Sequence, residues 1–254
     1  ERVKCVRKAR AIFGAGEEIA SDDLKQYFQR EALPELAFTP DAEYGVCNRE
    51  KGILHVELSA PADGSRLESL HGGTVRNAVA ASARAEARCT AEECEALEAL
   101  SKKMDGKFSF QWSGGVLTAE CAGRAAHAME PQKGRNAAAR LVRLFSSCFG
   151  GEALGALWSF VDQKIGLELD GSSLGLRRED AVSGPLTVNL GVAEQDNGVC
   201  RAVLDIRYPV TADGEEIFER LRAAAGAYGV KARVLAEQKP LFVPEDTPLI
   251  RMLK

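Results

Sequence analysis

Two adjacent glutamates, Glu17 and Glu18, stand in 14-GAGEEIAS-21, where an apolar run meets a glycine turn. On a continuing strand adjacent side chains would point to opposite faces. In a glycine turn both can reach one cleft, as a general base and a metal ligand must. The same pair also reads as two solvated carboxylates opening a helix. Asp41, in 39-TPDAE-43, follows a proline in a turn, where a carboxylate serves as a ligand or as a cap of the turn itself. His127 is one of three histidines in the chain and sits among small residues in 124-RAAHA-128, which leaves room for another group to approach. A packed or surface histidine fits that setting too.

The elements that must position these residues follow from patterning. Residues 8-KARAIFGAG-16 read as a buried strand running into a turn, and Ser21 caps a short helix with Leu24, Tyr27 and Phe28 on its apolar face. 52-GILHVELSA-60 alternates, with Leu54, Val56 and Leu58 on one face and Ile53, His55 and Glu57 on the other. Thr90 and Glu93 form a capping box for a helix that runs towards Gly106. Strands at 107–112 and 116–123 flank Ser113-Gly114-Gly115, and strands at 186–195 and 199–209 flank Asp196-Asn197-Gly198; both linkers are hairpin signals. A helix runs from about Asn136 to Cys148. Another occupies 214–229, with Ile217, Leu221, Ala225 and Tyr228 on one stripe, and a strand follows at 230–237. The first segment therefore reads as α/β, and two α+β units follow it.

Composition narrows the function classes. The chain has 254 residues, 45% hydrophobic and 28% charged, with a formal charge of −4, so nothing electrostatic favours nucleic acid or an anionic membrane as partner. No apolar run is long enough to span a bilayer. Seven scattered cysteines, an odd number without zinc-finger spacing, read as reduced thiols of a cytoplasmic protein.

Four segments in order, 12-IFGAGEE-18, 38-FTPDAEYGVCNREKG-52, 123-GRAAHAMEPQKGRNAA-138 and 205-DIRYP-209, resemble the co-catalytic di-zinc peptidases of the aminoacylase/carboxypeptidase group, most closely the PepV and Xaa-His dipeptidase type. The resemblance implies part of an α/β catalytic domain at 1–53, an α+β lid made of two ferredoxin-like units at 54–237, and a return segment at 238–254. It implies Glu17 as general base and Glu18 and Asp41 as ligands of two zinc ions. It also implies His127 as donor to the tetrahedral oxyanion, Arg207 as anchor of the substrate's free carboxylate, and Asn77 as a further substrate contact. The expected substrate is a small peptide, and the enlarged lid implies a monomer rather than a homodimer. Ala15-Gly16 stand where the family carries Thr-Asp. The family's upstream His-x-Asp segment and its C-terminal metal-binding histidine have no counterpart, and His55 and His71 read as structural or surface residues. The resemblance thus implies a partial chain, inactive by itself. A non-catalytic lid or dimerisation module and an N-acyl amino acid amidohydrolase are the alternative readings.

Overall fold

The computed structural model describes residues 8–15, 22–40 and 45–254. Contacts divide them into two compact units, one comprising Cys47–Thr247 and the other the preceding described residues with Pro248–Lys254.

In the smaller unit, helix α1 (Asp22–Tyr27) leaves Leu24, Tyr27 and Phe28 half-buried, and the two aromatic rings meet edge to face with centroids 5.2 Å apart. Arg10 donates to the Tyr27 hydroxyl at 3.1 Å and pairs with Glu31 at 3.3 Å. Residues 8–15 correct the sequence expectation. They form no strand and are exposed, Phe13 to 93%. An apolar run becomes a strand only when a neighbour completes its ladder, and no described residue does so here. Ser21, the expected cap of α1, lies outside the described residues.

The larger unit is built on one antiparallel sheet. In chain order its elements are β1 (Arg49–Glu50), β2 (Gly52–Pro61), β3 (Leu67–Gly72), β4 (Ser82–Arg88), α2 (Ala91–Ser101), β5 (Lys107–Ser113), β6 (Val116–Ala122), α3 (Ala137–Phe149), α4 (Gly155–Phe160), β7 (Glu179–Asp180), β8 (Gly184–Pro185), β9 (Thr187–Asp196), β10 (Val199–Tyr208), α5 (Gly214–Gly226), β11 (Lys231–Gln238) and β12 (Leu241–Phe242); α6 (Pro248–Leu253) belongs to the smaller unit. Eight strands lie in the order β11-β2-β10-β9-β3-β4-β6-β5, and two short pairs, β1 with β12 and β7 with β8, stand apart. The two halves of the large sheet join through only three residue pairs, Leu70 with Gln195, His71 with Glu194 and Gly72 with Ala193.

Alternation sends Leu54, Val56 and Leu58 of β2, Ala202, Leu204 and Ile206 of β10, and Leu117, Ala119 and Cys121 of β6 into one core. There they meet Leu141, Val142 and Phe145 of α3, Leu157, Trp158 and Phe160 of α4, and Ile217 and Leu221 of α5. The helices therefore cover one face of the sheet, and the opposite face carries the polar positions. Burying such side chains at about 25 cal/mol per Å² of apolar surface is what holds the layers together.

Local chemistry sets the element ends. Thr90 and Glu93 close the expected capping box on α2, and the helix ends at Ser101, short of Gly106. Asn136 caps α3 by accepting from the Ala139 N–H at 3.0 Å. Gly114 and Gly115 adopt φ of 60° and 81°, and Asn197 and Gly198 adopt 49° and 78°. Both hairpins thus turn with two left-handed residues, the geometry whose twist matches paired strands. Strands β3 and β4 and the π-helical turn Val161–Ile165 that continues α4 add elements the patterning does not signal.

Candidate functional site

Three of the residues singled out from the sequence lie outside the described residues: Glu17, Glu18 and Asp41. The other three, Asn77, His127 and Arg207, belong to the larger unit. The first two are carried by loops and the third by β10.

Two glycines allow the first loop to leave β3 along the sheet. A Cβ on Gly73, whose φ is 72°, would lie 1.9 Å from the Gly191 carbonyl oxygen, and one on Gly191 would lie 2.2 Å from that of Arg76. No side chain fits at either position, so the loop backbone rests directly on β9. The loop then pairs with the segment carrying His127. The Val79 N–H donates to the Ala126 carbonyl and the Ala128 N–H to the Asn77 carbonyl, both at 2.9 Å, around an antiparallel bridge between Ala78 and His127. Arg124 and Arg135 exchange two further backbone bonds, at 3.0 and 2.8 Å. Asn77 and His127 are therefore held in one short ladder, and both are exposed.

The His127 ring is oriented from within its own turn, because Nδ1 accepts from the Met129 N–H at 3.1 Å. With Nδ1 as acceptor, the neutral ring carries its proton on Nε2. That leaves an N–H donor on an exposed residue.

Asn189 of β9 ties this ladder to the sheet. It is 1% exposed, and its Nδ2 donates to the Ala78 carbonyl at 2.9 Å. Asn136 does the same one step further along, donating to the Leu190 carbonyl at 2.6 Å while it caps α3.

Asn189 stands directly opposite Asp205 of β10, and Asp205 stands opposite His55 of β2. Asp205 is fully buried. Its Oδ1 accepts from Arg207 Nε at 2.6 Å, and its Oδ2 accepts from Arg207 Nη2 at 2.9 Å and His55 Nε2 at 3.0 Å. Burial pushes the Asp205 carboxyl up. The hydrogen bonds from His55 and Arg207 and the nearby positive charge outweigh burial, so its pKa falls below the ordinary carboxylate value. His55 is structural, as expected, yet buried rather than on the surface, and its Nδ1 has no partner among the described residues. His71 is exposed, as expected.

Arg207, Asn77 and His127 are thus connected through Asp205, Asn189 and Ala78. Sequence reasoning singles out the three ends of this chain and misses the two polar residues in its middle. The missed signal is a polar side chain inside an otherwise apolar strand, Asn189 in 186-LTVNLGV-192 and Asp205 in 202-AVLDI-206. Such a residue must find a partner when buried.

Among the described residues no group of three or more histidines, cysteines or carboxylates is arranged to hold a metal; Glu18 and Asp41, the expected zinc ligands, lie outside them. The cysteines described are unpaired thiols. Burial pushes Cys89 up to about 12 and Cys121 and Cys200 up to about 11, which suits small buried hydrophobes rather than nucleophiles. Among the described residues no helix is long and apolar enough to cross a membrane.

By class the larger unit is a mixed α/β structure organised on a large antiparallel sheet, with candidate substrate-binding side chains on its polar face and adjoining loops. No known family profile matches the chain. It is 29% identical over 257 residues to the protein named "Putative dipeptidase YtjP" of Bacillus subtilis (strain 168), with 98% of this chain and 55% of that protein covered. It is 27% identical over 265 residues to "Putative dipeptidase SH1171" of Staphylococcus haemolyticus (strain JCSC1435), with 99% and 56% covered. The chain spans about half the length of the curated relatives it matches. Aminoacylhistidine dipeptidase from Vibrio alginolyticus overlaps 81% of this chain at 12% identity and a TM-score of 0.33, a likeness too slight to carry weight.

Proposed function

We propose that this chain is part of a metal-dependent dipeptidase and that its larger unit recognises the peptide. The observation that carries the reading is that Asn189, which holds the loop of Asn77 and His127, stands opposite Asp205, which holds Arg207, on paired strands. Similarity along nearly the whole chain to proteins named as dipeptidases supports it. In this reading the sheet is a lid of two ferredoxin-like units. The order β11-β2-β10-β9, with α4 before β9 and α5 before β11, supports one unit. The order β3-β4-β6-β5 supports the other, with its outer strand coming first in the chain.

Each side chain then has a task set by its chemistry. Arg207 uses the guanidinium edge that Asp205 leaves open to hold the free carboxylate at the peptide's C-terminus. Nε2–H of His127 donates to the oxyanion that forms as the peptide carbonyl is attacked, and removing one such donor typically costs ~10²–10³ in turnover. Asn77 contacts the substrate beside it. Glu17 takes the proton from the attacking water. Glu18 and Asp41 supply one carboxylate each towards metal, which when bound polarises the carbonyl and makes water a better nucleophile.

The test is hydrolysis by the protein that carries this chain, with dipeptides compared against N-acetyl amino acids. His127→Ala and Arg207→Ala should each lower dipeptide turnover at least ~100-fold. Near-normal rates in both variants would sink the assignment, and a preference for N-acetyl amino acids would turn it into an amidohydrolase.

A further inference from the structure

The polar face of the sheet holds a buried carboxylate for which the proposed chemistry has no direct use. Asp205 is fully buried and accepts three hydrogen bonds, all from strand residues. Its partners come from two strands. Arg207 lies two residues along β10 on the same face, and His55 lies directly opposite on β2. The side chains of Arg207 and His55 are each only 11% exposed. Because an ionised carboxylate only accepts, the bond to His55 fixes a proton on Nε2 of that ring, and Nδ1 is left buried without a partner among the described residues. An orphaned buried nitrogen is costly to keep. Replacing such a cluster by apolar side chains is often neutral or stabilising, so stability alone accounts poorly for it.

The geometry of the pair is specific. A guanidinium offers five N–H donors in a rigid plane. Asp205 occupies the side-on edge, Nε and one hydrogen of Nη2. Both hydrogens of Nη1 and the second of Nη2 remain, and that Nη2 hydrogen with the adjacent one of Nη1 forms the end-on edge of the fork. That edge suits a second carboxylate held by two parallel bonds.

We infer that Asp205, braced by His55, is a positioning residue that fixes the Arg207 guanidinium so that only its end-on edge is presented to a ligand's terminal carboxylate. The inference rests on the reading of Arg207 as the carboxylate anchor. Selectivity for a free carboxylate over an amide then comes from the rigidity of the fork as well as from its charge. If Asp205 merely masked that charge, its removal would strengthen carboxylate binding. If it positions the fork, its removal weakens that binding.

These outcomes separate in a binding experiment on the protein that carries this chain, stripped of metal so that the peptide is bound and not cleaved. Calorimetry would compare Ala-Ala with its C-terminal amide, and nitrogen-15 NMR would follow the Arg207 Nε–H. In the unaltered chain the free acid binds more tightly and the Nε–H exchanges slowly. Asp205→Asn should reduce the preference for the acid over the amide ~10-fold or more and speed exchange of that proton. His55→Phe, which keeps Asp205, should reduce the preference ~3-fold, and it decides the matter if Asp205→Asn does not fold. Arg207→Ala should abolish the preference. Loss of preference in Arg207→Ala with full preference in the Asp205 and His55 variants overturns the positioning role alone, as does tighter acid binding by Asp205→Asn. No preference in the unaltered chain, or preference surviving Arg207→Ala, overturns the reading of Arg207 itself.

Discussion

The polar face of the sheet carries ion pairs in two very different settings. Near one end, Arg201 bridges Glu57 and Glu194 at 2.7 and 2.8 Å, Arg233 also reaches Glu57, and Arg84 joins Glu86 and Glu120. His71 stands opposite both Glu194 and Arg84, so the row crosses from one half of the sheet to the other. Apart from Glu57, these side chains are 35% exposed or more. Four to six residues further along β10, Asp205 and Arg207 form a largely buried pair, with the carboxylate 0% and the guanidinium side chain 11% exposed. Exposed pairs are screened and contribute little singly, about 0–1 kcal/mol. A sealed pair recovers its desolvation cost only while every partner stays in place. The first row keeps the face soluble and in register; the second holds a geometry.

The largest test of that contrast is Asp205→Ala. It leaves Arg207 buried without its counter-charge and should cost about 3–5 kcal/mol in urea unfolding. Gly191→Ala comes next. The added methyl group meets the Arg76 carbonyl, the loop bearing Asn77 must lift, and stability should fall by about 1–3 kcal/mol. Asn136→Ala removes the α3 cap and the bond to Leu190, an expected loss of about 1–2 kcal/mol by the same measurement. Arg201→Ala, in the exposed row, should cost no more than about 1 kcal/mol, and 1 M salt should shrink that difference while leaving the Asp205→Ala effect intact.

Acid titration probes two half-buried carboxylates away from that face. Glu93, bonded first of all by Arg66, is held at about 2, and Asp180, which burial pushes up but Ser183 and Thr211 bonds pull down further, also lies at about 2. Their folded values lie below ordinary ones, so their stabilisation is complete above about pH 4.5 and fades as pH falls towards 2. A midpoint of unfolding that stays flat across that window would remove these bonds from the account.

Much of the architecture was legible because local chemistry dictates it. The capping box at Thr90, the Asn136 cap and both two-residue turns need only neighbours in sequence. Strand β4 escaped because its buried positions are Ala83, Ala85 and Ala87. The alternation is regular, but alanine contrasts weakly with serine and arginine and has little intrinsic preference for strands. Residues 8–15 erred the other way, since a strand-like pattern without a paired neighbour stays open. At the candidate site, His127 could be singled out by its setting and by resemblance, and Arg207 by resemblance alone. Asp205 could not be linked to His55, 150 residues away, until strand register set them opposite each other.

That separation also orders events in time. On a growing chain β2 appears early, but its neighbours β10 and β11 are made last, while β3, β4, β5 and β6 follow one another closely and pair among themselves. These four strands can therefore collapse while β2 waits, and the other four assemble beside them afterwards, joined through β3 and β9. Pairings so distant in sequence are slow to form, so refolding should show a fast phase from the half made of β3, β4, β5 and β6 and a later one in which the Asp205 cluster assembles.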